Sequence, residues 1–134
     1  MSRPAPGTYY IFNRVHDSDG NQLAMTFNGN RQAITVTPLE IGDTRQQWVI
    51  QNYDRRLQHI KPKDNQNLEA GWGDTIYTLP VGNYVWSITQ DDGYVITDGG
   101  NSIHWGVEGA YDGASVIPTD KGGDEKKRWI FQRV

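Results

Sequence analysis

Three groups of side chains in this 134-residue chain have types and spacings that could do chemistry. The first is aromatic: Gly71-Trp72-Gly73, followed by Leu79-Pro80-Val81-Gly82-Asn83-Tyr84-Val85-Trp86. A sugar ring packs its C–H face on an aromatic face, while its hydroxyls and acetamides need hydrogen-bond partners. Trp72, Tyr84 and Trp86 with Asn83 beside them supply both kinds of contact. The same Asn-Tyr-x-Trp run also reads as an ordinary cross-strand pair. The second group is cationic: Arg31 in Asn28-Gly29-Asn30-Arg31-Gln32, and the run Lys126-Lys127-Arg128. One exposed Arg or Lys on a rigid loop is what the buried carboxylate of a trypsin-like protease pocket demands. Either cation also reads as a solvated turn residue, and Asp124-Glu125 neutralises much of the second run's field.

The third group is acid–base, and it points to no reaction. Sixteen carboxylates in a chain of this size put some pair close by chance, so Asp91-Asp92 and Asp124-Glu125 carry no signal. No nucleophile elbow, phosphate loop or metal motif is present, and no catalytic residue is expected. Asp17-Ser18-Asp19-Gly20-Asn21 resembles part of a calcium loop, but its glycine comes too early and no glutamate closes it, so it reads as a β-turn. His16, His59 and His104 lie 43 and 45 residues apart, without the short spacing of a zinc site. No metal and no cofactor are expected.

The elements that must position these groups are short strands. Fifteen glycines and six prolines, with five Trp and seven Tyr, suit strands closed by turns better than helices. Three segments end alike, at Gln47-Trp48-Val49, Val85-Trp86-Ser87 and Arg128-Trp129-Ile130, with the tryptophans 38 and 43 residues apart. Before each lies a strand closed by proline, at Pro38, Pro80 and Pro118, preceded by a marker pair Ala24-Met25, Gly71-Trp72 or His104-Trp105. Each repeat opens on an alternating segment: Tyr9-x-Ile11, Leu57-x-His59 or Tyr94-x-Ile96. The reading is one domain over 1–134, with repeats of four strands over roughly 1–52, 53–90 and 91–134. Three blades are too few for a propeller, and nothing has helical periodicity over ten residues, so a closed threefold barrel remains. Closure also removes the exposed edges of so strand-rich a chain.

Trp48 and Trp129 hold equivalent positions and are expected in the core. Trp86 takes two readings, core by symmetry or platform by its neighbours. Between Pro80 and Trp86 the middle repeat has five residues, against nine and ten in the others, so its clipped loop is expected to leave a shallow open platform.

No cysteine and no Asn-x-Ser/Thr sequon occur, and the start lacks an apolar signal segment, which places the protein in the cytoplasm as an expectation. No run of about eighteen apolar residues exists, so no membrane insertion is expected. A net charge of -3 with pI near 5.5 gives no footprint for nucleic acid.

With Gln-x-Trp in the first repeat, the pattern resembles that of the mushroom ricin B-like proteins along nearly the whole chain. That resemblance implies an all-β fold, the β-trefoil. Two branches are similar: nematotoxic lectins that bind fucosylated chitobiose, and β-trefoil serine protease inhibitors. The lectin resemblance rests on the Gly-Trp-Gly turn, the leucine before proline and Asn-Tyr-Val-Trp. It implies a glycan site of Trp72, Leu79, Asn83, Tyr84, Val85 and Trp86, glycans or glycoproteins as partners, and defence against nematodes or insects. Val81-Gly82 departs from that pattern. A ricin-type galactose pocket has its full set in no repeat. The inhibitor resemblance is one of location, and implies a reactive cation at Arg31 or at Lys126 or Lys127, with a trypsin-like protease as partner. The glycan residues include no carboxylate and no histidine, so binding is expected to be metal-independent and nearly flat from about pH 5.5 to 8.

Overall fold

The computed structural model describes residues 2–119 and 124–134. Its strands run β1 (Gly7–His16), β2 (Gln22–Thr26), β3 (Thr35–Pro38) and β4 (Gln47–Asn52), then β5 (Gln58–Pro62), β6 (Leu68–Trp72), β7 (Ile76–Pro80) and β8 (Ser87–Gln90), then β9 (Tyr94–Thr97), β10 (His104–Val107), β11 (Ala114–Thr119) and β12 (Trp129–Arg133). Valine, isoleucine, threonine and tyrosine recur along them, residues whose branched or flat side chains pack on a pleated surface. No helix among the described residues is long and apolar enough to cross a membrane.

Six strands close a ring. β1 pairs with β4 and with β12, β4 with β5, β8 with β9, and β9 with β12. The last gap is bridged between Gln58 and Trp86, whose backbone groups exchange two 2.8 Å hydrogen bonds. The remaining strands form three hairpins, β2–β3, β6–β7 and β10–β11, which meet over one end of the ring. There the Ile34 N–H donates to the Ile76 carbonyl at 2.9 Å, and the Val116 N–H donates to the Ile34 carbonyl at 2.9 Å. The Thr75 hydroxyl donates to the Val116 carbonyl at 2.8 Å. A six-stranded ring capped by three hairpins is a β-trefoil.

The threefold relation is written in the tryptophans. Trp48, Trp86 and Trp129 are all in one core cluster. Their indole N–H groups donate to the carbonyls of Met25 (2.9 Å), Ala70 (2.9 Å) and Trp105 (3.1 Å). A buried donor left unpaired would cost about 1 to 3 kcal/mol, so these bonds fix which residue lies beneath each ring. They also correct one alignment, and burial corrects another. The partner of Met25 and Trp105 in the middle repeat is Ala70, two residues before Trp72. In β5 the buried positions are Gln58, Ile60 and Pro62, so the strand is out of phase with a Leu57-x-His59 reading.

The repeats differ in the loop that leads to each tryptophan. In the first and third a 3-10 turn fills it, Thr44–Gln46 and Glu125–Lys127. Asp43 and Asp124 cap these turns by accepting from the N–H of Arg45 and Lys126. The middle loop, clipped to five residues, carries no such turn and runs irregularly from Val81 to Val85.

Candidate functional site

Two residues before each core tryptophan stand Gln46, Tyr84 and Lys127. Gln46 is the buried last residue of its 3-10 turn, and its amide donates to the Thr37 hydroxyl and the Pro38 carbonyl. In the clipped repeat Tyr84 takes this place, with no turn above it, and remains partly exposed. It lies on Gly71 of β6. A Cβ built on Gly71 would come within 2.9 Å of both Tyr84 Cγ and Leu79 Cδ1, so the tyrosine ring and the leucine meet over a glycine that has no side chain to hold them off. The next residue, Trp72, ends β6 at the hairpin tip and is 46 % exposed. It leaves the pleat on the face opposite Gly71, and no ring pair joins it to Tyr84 among the described residues. Tyr77, across from Gly71 on β7, donates its hydroxyl to Asp74 Oδ1 at 2.5 Å. That bond raises the phenol's pKa above its ordinary value.

The polar element of this region is Glu69, which sequence reasoning missed. Its carboxylate is 0 % exposed. One oxygen, Oε2, accepts from the N–H of Gly82 at 2.8 Å and of Tyr84 at 3.0 Å. The other, Oε1, lies 2.6 Å from His59 Nδ1. Outside the histidine, the exposed ring of Tyr53 stands edge-on at 5.5 Å between centroids. A glutamate inside the buried run Leu68-Glu69-Ala70-Gly71 was the available signal, since a carboxylate is almost never wholly buried without partners. The six residues read as the glycan site include no carboxylate and no histidine, but the structure places one of each directly behind the Gly82–Tyr84 segment.

The six residues named from sequence separate. Leu79 and Tyr84 come together over Gly71. Asn83 is exposed beside Tyr84, in the left-handed region at φ 63°. Val85 is partly exposed, and Trp72 is exposed at the hairpin tip, on the face opposite the one where Tyr84 and Leu79 meet. Trp86 is corrected: it is 2 % exposed, bonded to the Ala70 carbonyl and packed among core rings, so it offers no face to a ligand. The segment Asn83–Val85 is also not a strand, because β8 begins at Ser87.

The cationic candidates separate too. Arg31 is exposed on the β2–β3 turn with φ 63°, its N–H donating to the Thr78 carbonyl at 2.7 Å. Lys127 is corrected: it is 9 % exposed, the counterpart of buried Gln46, with its Cγ close over Gly106. Lys126 is exposed beside it. The Asp17–Asn21 segment is a turn in which Asp17 Oδ1 accepts from the N–H groups of Asp19 and Asn21. Among the described residues, no group of three or more His, Asp or Glu could hold a metal ion.

A model of the family described as CCL2 lectin-like matches residues 7–129. The chain belongs to the CCL2 lectin-like family. Solved structures share the fold of this CCL2 lectin-like chain at low identity. A designed threefold-symmetric protein, ThreeFoil, superposes with a TM-score of 0.80 at 16 % identity, over 96 % of this chain and 99 % of its own. The ricin B-like lectin of Macrolepiota procera, solved with lactose, gives 0.73 at 16 % identity over the whole of both chains. A mosquitocidal holotoxin gives 0.84 at 14 % identity over 98 % of this chain, which spans only 18 % of the holotoxin's length. Among curated proteins none matches the sequence.

Proposed function

We propose that this CCL2 lectin-like domain binds glycans that contain N-acetylglucosamine, with fucosylated chitobiose as the ligand class, through the surface of the clipped middle repeat. The observation that carries the reading is the packing of Tyr84 and Leu79 over Gly71, with Asn83 exposed at the loop crest and Trp72 at the hairpin tip. It supplies apolar faces for sugar rings and a fucose methyl, and an amide for their polar edges. Trp86 acts from below, as the core residue that fixes where Tyr84 emerges. The domain binds without catalysis. A cytoplasmic store that acts on glycoproteins of nematodes or insects is the setting we propose. An array of fucosylated and unfucosylated chitobiose glycans tests the reading: capture of the fucosylated members by wild type supports it, and capture of none overturns it.

One observation favours a second reading, a trypsin-like protease inhibitor. Arg31 is exposed on a turn held by several bonds, including those of the Asn28 amide to the Ala33 carbonyl (3.0 Å) and the Thr35 hydroxyl (2.9 Å). A trypsin assay beside the array separates the two.

A further inference from the structure

The middle repeat lacks the turn that closes its two counterparts, and so lacks the aspartate that caps it. In the first and third repeats the capping carboxylate comes from the loop itself, Asp43 or Asp124. In the middle repeat the only carboxylate that meets loop N–H groups among the described residues comes from the strand beneath, Glu69 of β6. Its threefold counterparts, one residue before Met25 and Trp105, are Ala24 and His104.

Asn83, between the two donors, is in the left-handed region, so the N–H groups of Gly82 and Tyr84 converge on one point. Such a pair of N–H groups flanking a left-handed residue forms a concave anion-binding nest. Here the anion is part of the protein. Left-handed backbone is unfavourable for a residue other than glycine and persists where its surroundings over-determine it. The two hydrogen bonds to Glu69 Oε2 supply that constraint.

We propose that Glu69 is the positioning residue of the glycan surface. Its buried carboxylate, oriented by His59, holds the Gly82-Asn83-Tyr84 nest so that the Tyr84 ring lies on Gly71 and the Asn83 side chain stands out at the crest. This rests on the glycan reading given above. Glu69 itself, wholly buried, touches no ligand. What matters is its set of acceptors rather than its charge. A glutamine there accepts both N–H groups through its carbonyl and donates to His59 Nδ1 in the tautomer that carries the proton on Nε2. A leucine leaves three polar groups without partners.

Two measurements test it. Binding of fucosylated chitobiose is titrated for wild type, Glu69→Gln and Glu69→Leu, each checked for a cooperative melt. Glu69→Gln keeps affinity within about threefold, and folded Glu69→Leu loses at least about tenfold. Amide exchange of wild type shows Gly82 and Tyr84 protected by at least about a hundredfold over unstructured rates. Should Glu69→Leu not fold, Glu69→Gln and the exchange rates decide. Unchanged affinity in folded Glu69→Leu, a Glu69→Gln loss as large as that of leucine, or fast exchange at Gly82 and Tyr84 overturns the positioning role. A wild type that captures no glycan yet protects both amides overturns the glycan reading while leaving the nest in place, so the two failures are distinct.

Discussion

The ring of Trp86 stands edge-on to that of Trp105, with centroids 4.8 Å apart and planes at 79°. That arrangement suits the charge distribution of aromatic rings and contributes about 0.5 to 1.5 kcal/mol beyond simple burial. It also ties the second repeat to the third through the core. The threefold-related positions carry Met25, Ala70 and Trp105, so bulk in one repeat is matched by its lack in another, and Trp86 is locked beneath the surface that Tyr84 and Leu79 form.

Trp72→Ala is expected to weaken glycan binding by thirtyfold or more, about 2 kcal/mol, the cost of truncating a hot-spot ring. Its melting temperature should change little, because the indole is exposed at a hairpin tip. Trp129→Ala and Trp86→Ala should each destabilise the domain by about 3 to 5 kcal/mol, as large-to-small changes of a buried aromatic do. Chemical denaturation beside a binding titration checks the contrast. The reverse order of effects would remove Trp72 from the surface site.

Tyr84→Ala and Arg31→Ala separate the two functional readings, since the residues belong to different loops. Tyr84→Ala should lose fucosylated chitobiose and leave protease behaviour unchanged, and wild type should inhibit trypsin weakly or not at all. Tight trypsin inhibition that disappears in Arg31→Ala, in a protein that captures no glycan, would decide for the inhibitor.

Gly71→Ala tests the packing without touching a ring. The new methyl would sit 2.9 Å from Tyr84 Cγ and Leu79 Cδ1, closer than real Cβ atoms approach, so both side chains must shift outward. A loss of glycan affinity of about tenfold or more is expected, with overpacking that costs about 1 to 3 kcal/mol of stability. Unaltered affinity would mean that the Tyr84 position is not what the ligand reads.

Much of the architecture was legible because it repeats. The spacing of Trp48, Trp86 and Trp129 and the prolines before them required three equivalent strand groups, and the short count between Pro80 and Trp86 marked the middle loop as different. The phase within a repeat was not legible. Trp72 and Trp105 share a residue type but not a position, and only the indole hydrogen bonds show that Ala70 is the equivalent. Burial of Trp86 followed from symmetry, while its neighbours argued the other way, and the core position won. Glu69 escaped notice because two of its partners are backbone N–H groups thirteen and fifteen residues on, which no side-chain motif records, and the third, His59, lies ten residues before it on another strand. Lys127 escaped for a related reason: a lysine in a charged run reads as solvated, yet its stem covers apolar surface over Gly106.

Acid is expected to loosen the turns first. At Asp98 burial pushes the carboxyl's pKa up, and hydrogen bonds from the Ile103 N–H, the Ser102 hydroxyl and the Ser102 N–H outweigh it, leaving the value below the ordinary one. At Asp54 the N–H groups of Arg56 and Leu57 lower it. Because these carboxylates bind protons less readily in the folded chain, their contribution is present above the unfolded pKa near 3.9 and is lost as pH falls through the lower folded value. Melting temperature followed downward from pH 5 should therefore fall below about pH 4, and Asp98→Asn should flatten that decline. A decline that Asp98→Asn leaves as steep as before would remove Asp98 as a source.

Chelation should leave binding untouched. The groups that form the surface of the middle repeat are rings, an amide and backbone, and glycan capture in EDTA should equal capture in calcium. Loss on chelation would place the ligand elsewhere on the molecule.

The seam between β1 and β12 runs from Tyr9 against Arg133 to Asn13 against Trp129, and it joins segments at opposite ends of the sequence. A contact of that separation carries the full entropy of closing a long loop and belongs to the class that slows folding most. During synthesis β2 and β4, which share one edge of β1, follow it soon, while its other edge waits for β12. The barrel thus completes only after translation of β12. Until then the β1 edge is open to strands of other nascent chains, which makes crowded expression, rather than the finished domain, the stage at which this fold is exposed to aggregation.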